Sequence, residues 1–181
     1  MPGISAQAFR LRPPREDEFE RLCAVQRNAC RLFGDAYETG TFDEGSFRHH
    51  LAGGDIQTAV DEHDLVCGYS CAYPMGDDLY LHLFFVDPAY GKCGAGKLLL
   101  SQVLARAETT GCRAVTLITS GSAPWNAPYY EKAGFRIVSD VMPPYLMRCL
   151  AGSRRRFSPD KPMVQNCPLI LPRVAMERPL Q

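Results

Sequence analysis

The sequence predicts an α/β (α+β) fold, a mixed, twisted central sheet of six to seven strands flanked by helices on both faces. Three observations carry that reading. The stretch Tyr80–Leu100 reads YLHLFFVDPAYGKCGAGKLLL, an apolar aromatic run, then three glycines in six residues, then a helix-period pattern. Short alternating or apolar runs bounded by turn residues recur on either side of it, interleaved with helical segments. The length of 181 residues, 46% hydrophobic, suits one packed core, so a single domain over 1–181 is expected.

Taken in order, Phe9-Arg10-Leu11-Arg12 alternates as a short strand that Pro13-Pro14 ends. A helix follows from about Arg15, carrying Phe19, Leu22, Val25 and Ala29 inward. A second short helix is expected around Ser46–Leu51, stopped by Gly53-Gly54. Ile56–Asp61 and Leu65–Tyr73 read as strands joined by a turn at Glu62-His63-Asp64, and a turn at Pro74–Asp78 leads into the strand Tyr80–Val86. The helix after the glycines places Leu100, Val103, Leu104 and Ala107 on one face and stops at Gly111. Ala114–Thr119 reads as a buried strand, Asn126–Ala133 as a short helix ended by Gly134, and Phe135–Val138 as the start of another strand. Residues 143–171, rich in proline and carrying Arg154-Arg155-Arg156, read as an irregular insertion before a closing strand at Arg173–Arg178. The arginine run is expected to face solvent.

Composition narrows the function classes. Twenty basic residues balance twenty acidic ones, so net charge gives no argument for nucleic acid or a membrane surface. No apolar run approaches the ~18 residues of a membrane span and no signal peptide opens the chain, so a cytoplasmic protein is expected. Its eight cysteines are then expected as free thiols. His63, Cys67 and Cys71 are evenly spaced, but strand neighbours four apart lie roughly 13 Å from one another, too far to share one ion, and no metal site is expected.

Strand, glycine loop and helix make an anion cradle, because glycines let backbone N–H groups converge and the helix N-terminus adds partial positive charge. The order Gly91-x-x-Gly94-x-Gly96 has the wrong spacing for a dinucleotide fingerprint. Gly91 to Lys97 satisfies G-x-x-x-x-G-K, the phosphate loop of a phosphotransferase, but Leu98 stands where a magnesium-holding Ser or Thr belongs. Gly94-Ala95-Gly96 after Val86-Asp87-Pro88 also fits an acyl-coenzyme A loop. Further on stands Asn126-Ala127-Pro128-Tyr129-Tyr130-Glu131-Lys132-Ala133-Gly134-Phe135. The two motifs together resemble the GCN5-related N-acetyltransferase (GNAT) superfamily.

That resemblance implies the GNAT fold, with the two central strands splayed to admit acetyl-coenzyme A, and transfer of its acetyl group to a primary amine by direct attack. Pyrophosphate would rest on the backbone of Gly91, Lys92, Cys93, Gly94, Ala95, Gly96 and Lys97. Phe84, Phe85 and Val86 would supply the strand edge for the pantetheine arm, which Asn126 would also meet; an N-cap for the short helix explains Asn126 equally well. Gly91 replaces the family's Arg or Gln, which removes a side-chain contact and leaves the N–H donors. Tyr80, His82, Phe84 and Val86 share one strand face, and the resemblance makes His82 a general base, with a core histidine as the alternative. Tyr130 matches the general acid, with a core aromatic as the alternative. Cys93 reads as a small loop filler or a thiol activated by the helix terminus. Glu38, Asp43 and Glu44 lie where the family builds its acceptor wall, or form a solvated acidic loop. The acceptor stays open among small amines, antibiotics, amino acids and protein N-termini, and a homodimer stays open too. Two rivals remain at this point: a phosphate-loop phosphotransferase and a non-catalytic acyl-coenzyme A-binding module.

Overall fold

Leu11 between two arginines gives the three-residue alternation that forms β1 (Arg10–Arg12). It pairs antiparallel with β2 (Ile56–Val60), and β2 pairs antiparallel with β3 (Val66–Met75). After a turn at 76–77 comes β4 (Asp78–Val86), to which β5 (Ala114–Ser120) runs parallel. β6 (Arg136–Ile137) and β7 (Arg173–Pro179) complete one seven-stranded sheet in the order β1-β2-β3-β4-β5-β7-β6, flanked by helices. The structure, a computed structural model, describes residues 9–33, 43–120, 123–138, 143–149 and 173–180. The helices are α1 (Phe19–Cys30), α2 (Glu44–Ala52), α3 (Ala95–Thr109) and α4 (Asn126–Glu131), with a further helical segment at 144–149. Glu38, Arg154–Arg156 and most of the stretch expected to be irregular lie outside the described residues.

The chain divides into two compact units. One holds the N-terminal stretch to Leu32, the stretch ending at Ala72, and Leu83–Arg106; the other holds Phe33, Tyr73–His82 and the chain from Ala107 onward. In the first unit α1 and α3 cover opposite sheet faces. Phe85 meets Tyr69, whose hydroxyl donates to Gln26 of α1 at 2.9 Å. Its neighbours Phe84 and Val86 pack with Ala95 and Leu99 of α3 and with Ala59. Adjacent strand residues point to opposite faces, so the two helices are on opposite sides. In the second unit β5 is paired on both edges, with Asp78–Leu81 of β4 and with the whole of β7. The parallel register ends at Leu81↔Leu117, although β4 runs on to Val86 and β5 to Ser120.

Several element boundaries differ from expectation by a few residues, among them the start of α1 at Phe19 and of β4 at Asp78, and three of the differences have a plain local reason. β3 continues through Pro74 to Met75, and the turn is confined to Gly76-Asp77, with Gly76 at φ +64°. The register with β2 stops at Cys71, so the missing N–H of Pro74 breaks no bond to that strand. α2 begins at Glu44 instead of Ser46, because Asp43 caps it: its carboxylate accepts from the Ser46 N–H at 2.8 Å. α4 ends at Glu131 rather than Ala133, and the chain turns out through Gly134 at φ +87°.

Candidate active site

The first unit builds the glycine loop from three anchors. Asp87, 6% exposed, accepts from Asn28 Nδ2 at 3.0 Å, from Arg21 Nη2 at 3.4 Å and from the Ala89 N–H at 3.2 Å. Its own N–H donates to the Cys67 carbonyl at 2.8 Å, which fixes the end of β4 against β3. Tyr90 closes a short 3-10 turn (Pro88–Tyr90), and its hydroxyl donates to Asp61 Oδ2 at 3.1 Å. Burial, then the Asp61 carboxylate, push the Tyr90 phenol up to about 12. Beyond Tyr90 the backbone turns left-handed twice, at Lys92 (φ +61°) and at Gly94 (φ +104°). Only glycine takes the second value without strain, and a Cβ there would meet open space.

α3 then starts at Ala95, with its first intrahelical bond from the Leu98 N–H to the Gly94 carbonyl at 3.0 Å. The N–H groups of Ala95, Gly96 and Lys97 therefore precede the helical ladder, at the positive end of the helix dipole. Ala95 is buried against Ala59 and Leu99, while Gly91, Lys92, Gly94 and Lys97 are exposed. Cys93 is half-buried, its Sγ 3.4 Å from the Gly91 carbonyl. Open backbone at Gly94 and free N–H directions in the first turn suit the oxygens of a phosphate.

The second unit carries the remaining candidates. His82 is exposed on β4, its ring 5.7 Å from that of Tyr73 and 5.8 Å from that of Tyr80. Tyr130 is 8% exposed on α4, with Tyr129 and Phe135 edge-on at 5.3 and 5.6 Å. Burial, and after it the neighbouring Tyr129, hold the Tyr130 hydroxyl well above the ordinary range for a phenol. Such a group keeps its proton at neutral pH and can give it up only to a base that appears beside it. Asn126 corrects one expectation, because Trp125 and not Asn126 is the N-cap of α4. The Asn126 side chain instead donates to Thr119 Oγ1 on β5 at 3.1 Å, tying the start of α4 to the sheet.

The profile of the acetyltransferase (GNAT) family matches residues 17–135. The chain belongs to that family. The GNAT match covers β4, the glycine loop, α3, β5 and α4, and so includes every candidate named above. Among solved GNAT structures, the PaiA N-acetyltransferase from Thermoplasma acidophilum in complex with coenzyme A superposes with a TM-score of 0.71 at 14% identity, covering 96% of this chain and 99% of that one. An acetyltransferase of the GNAT family from Staphylococcus aureus Mu50 gives 0.68 at 17% identity, covering 96% and 100%. The ribosomal-protein-S18-alanine N-acetyltransferase from Escherichia coli gives 0.66 at 15%, covering 96% and 95%. At these identities the likeness is one of fold, and it agrees with the mixed sheet expected from the sequence.

Three residues that pack beside candidates of their own unit were not marked out for that part by the sequence. Gly68 is one: a Cβ there would stand 2.8 Å from the Phe85 carbonyl oxygen and 3.2 Å from the Val86 Cα. Asp87 is another: it stands inside Val86-Asp87-Pro88, but nothing in that motif marks it as the residue that anchors the loop to α1. Tyr73 is the third, since its neighbours in space lie on another strand. Among the described residues no helix is long and apolar enough to cross a membrane, and no disulfide joins the described cysteines.

Proposed function

We propose that this protein is an acetyl-coenzyme A-dependent N-acetyltransferase acting on a primary amine by direct attack. The observation that carries the reading is the glycine loop: a left-handed Gly94 with open space around it, followed by three N–H groups ahead of the helical ladder. Gly91–Lys97 hold the pyrophosphate in this reading, and Phe84–Val86 lie along the pantetheine arm, with Asn126 as a further contact. The solved relatives with coenzyme A bound support that cosubstrate.

Acetyl-coenzyme A supplies an acetyl group activated as a thioester. His82 accepts a proton from the acceptor's ammonium at one imidazole nitrogen, which frees the nitrogen lone pair for attack. Its exposure on β4 supports this role over that of a core histidine. Tyr130 donates its hydroxyl proton toward the departing sulfur and is restored by the second proton that leaves the acceptor nitrogen as the amide forms, and a phenol that burial keeps protonated at neutral pH is available for that role. Asp43 and Glu44, both exposed, offer negative charge to a cationic acceptor. A cytoplasmic location belongs to the same reading.

The test is thiol release from acetyl-coenzyme A against a panel of amines, peptides and amino acids, with the parent protein, His82→Ala and Gly94→Glu. His82→Ala is expected to lower turnover by about 10²–10⁴-fold and to remove the acidic limb of the pH–rate profile. Gly94→Glu is expected to abolish coenzyme A binding in calorimetry. No thiol release with any amine, alongside tight coenzyme A binding, would leave the non-catalytic module. Tight ATP–magnesium binding without coenzyme A binding would leave the phosphotransferase.

A further inference from the structure

We propose that Tyr73 is a positioning residue for His82, holding the imidazole in one orientation through a set of aromatic contacts anchored at Asp78. The inference rests on the reading of His82 as the general base. An exposed side chain changes rotamer on a picosecond to nanosecond timescale unless neighbours restrain it. His82 is exposed, yet its ring is restrained from two sides. Tyr73 of β3 lies 5.7 Å away at 56°, and Tyr80, two residues earlier on the same face of β4, lies 5.8 Å away at 40°. Tyr73 and Tyr80 meet each other edge-on at 5.7 Å and 74°, so the three rings close a triangle.

The triangle is fixed at its inner end. Tyr80 meets the ring of Tyr145 edge-on at 6.5 Å. The Tyr145 hydroxyl donates to Asp78 Oδ2 at 2.6 Å and lies 2.9 Å from Thr116 Oγ1. Asp78 is buried at the first position of β4 and takes a second bond from Arg113 Nη2 at 2.9 Å. A buried, doubly bonded carboxylate does not wander, and Tyr145 and Tyr80 pass that fixity outward. Tyr73 is the half-buried member that touches both Tyr80 and His82. Edge-on and tilted ring contacts at these separations are attractive and directional, and they present ring faces to an imidazole that becomes a cation when it takes a proton. A base displaced by 1 Å loses on the order of 10²-fold in rate, so a ring that limits displacement matters to turnover.

The experiment uses the full chain, with Tyr73→Ala, Tyr73→Leu, Tyr73→Phe, His82→Ala and the double variant Tyr73→Ala/His82→Ala. Two readouts are taken: kcat and KM by thiol release, and the ring signals of ¹⁵N-labelled histidine, which His82→Ala assigns among the four histidines. Tyr73→Ala and Tyr73→Leu are expected to lower kcat by about 10–100-fold with little change in KM for acetyl-coenzyme A. The His82 ring signal is expected to collapse toward a rotamer average in both. Tyr73→Phe is expected to recover most of the rate, because the ring and not its hydroxyl does the holding. In the His82→Ala background, Tyr73→Ala is expected to add no further loss. Unchanged kcat and an unchanged ring signal in both Tyr73→Ala and Tyr73→Leu would overturn the proposal, as would additive losses in the double variant. Full turnover in His82→Ala overturns the base reading itself and with it the role of Tyr73 in the rate. The ring signal separates that failure from a failure of Tyr73 to hold the imidazole.

Discussion

Tyr130 keeps its hydroxyl in a setting that disfavours the phenolate, because burial and the ring of Tyr129 both oppose a negative charge there. That keeps the hydroxyl protonated, and so available as a donor, at neutral pH, although the same shift makes it a weaker acid than a free phenol. Tyr130→Phe removes one hydroxyl and little volume, so melting temperature and coenzyme A affinity are expected to stay near those of the parent. Turnover is expected to fall by about 10²–10³-fold, as for other preorganised donors, and steady-state kinetics beside calorimetry check the split. Full turnover in that variant would remove Tyr130 from the mechanism. Tyr130 was legible because the A-P-x-Y-E-K-x-G-F pattern fixes its offset. Its environment was not, since Phe135 and Tyr129 act on it through a turn that only the folded chain makes. Asn126 shows the same limit from the other side: a polar residue at a helix start suggests a cap, and its bond to Thr119 on β5 depends on tertiary placement.

At the scale of elements, the loop between β4 and α3 is held by Asp87 more than by its glycines. Asp87 ties the loop to Arg21 and Asn28 of α1 and caps the turn that begins at Pro88. Asp87→Ala is expected to weaken coenzyme A binding by about 10-fold or more, by loosening the loop ahead of Gly94. It would also leave Arg21 and Asn28 short of a partner, at a cost of about 1–3 kcal/mol. Hydrogen exchange is expected to quicken over residues 88–98 well before it does in α3 beyond Leu99. Equal exchange in the variant and the parent would show that Tyr90 and Asp61 suffice. The strand-loop-helix succession itself was plain in the sequence, because three glycines between two apolar periods admit few other readings. Which residue anchors it was not, because Arg21, Asn28 and Cys67 are distant in the chain.

For the whole molecule, one ion network links the first strand to the β2–β3 turn. Arg12 donates to Asp64 at 3.0 Å and to Glu18 at 2.6 Å, and Arg10 and Arg15 also reach Asp64. Hydrogen bonds from Arg12 and then Arg15 hold the Asp64 carboxyl down at about 2, below its ordinary 3.8. A carboxyl whose folded pKa is lowered stabilises the fold above the unfolded pKa and loses that contribution as pH falls through the folded one. The melting temperature is therefore expected to decline between about pH 4 and pH 2, and Asp64→Asn is expected to flatten that part of the curve. An unchanged slope in the variant would assign the decline to other carboxylates. A mixed sheet of six to seven strands and the order of the elements followed from hydrophobic period and turn residues. The left-handed backbone at Asp64 (φ +62°) did not, because three arginines from a separate segment surround it.

Gly68 has a mechanical consequence. With the Phe85 carbonyl oxygen 2.8 Å from where a Cβ would stand, and the Asp87 N–H bonded to Cys67 at 2.8 Å, β3 and β4 already touch at the root of the loop. Close-packed contact of this kind compresses little. A load applied at residues 88–94 is therefore passed to a contact between β3 and β4 that gives way little. Whatever presses into that loop must do most of the yielding.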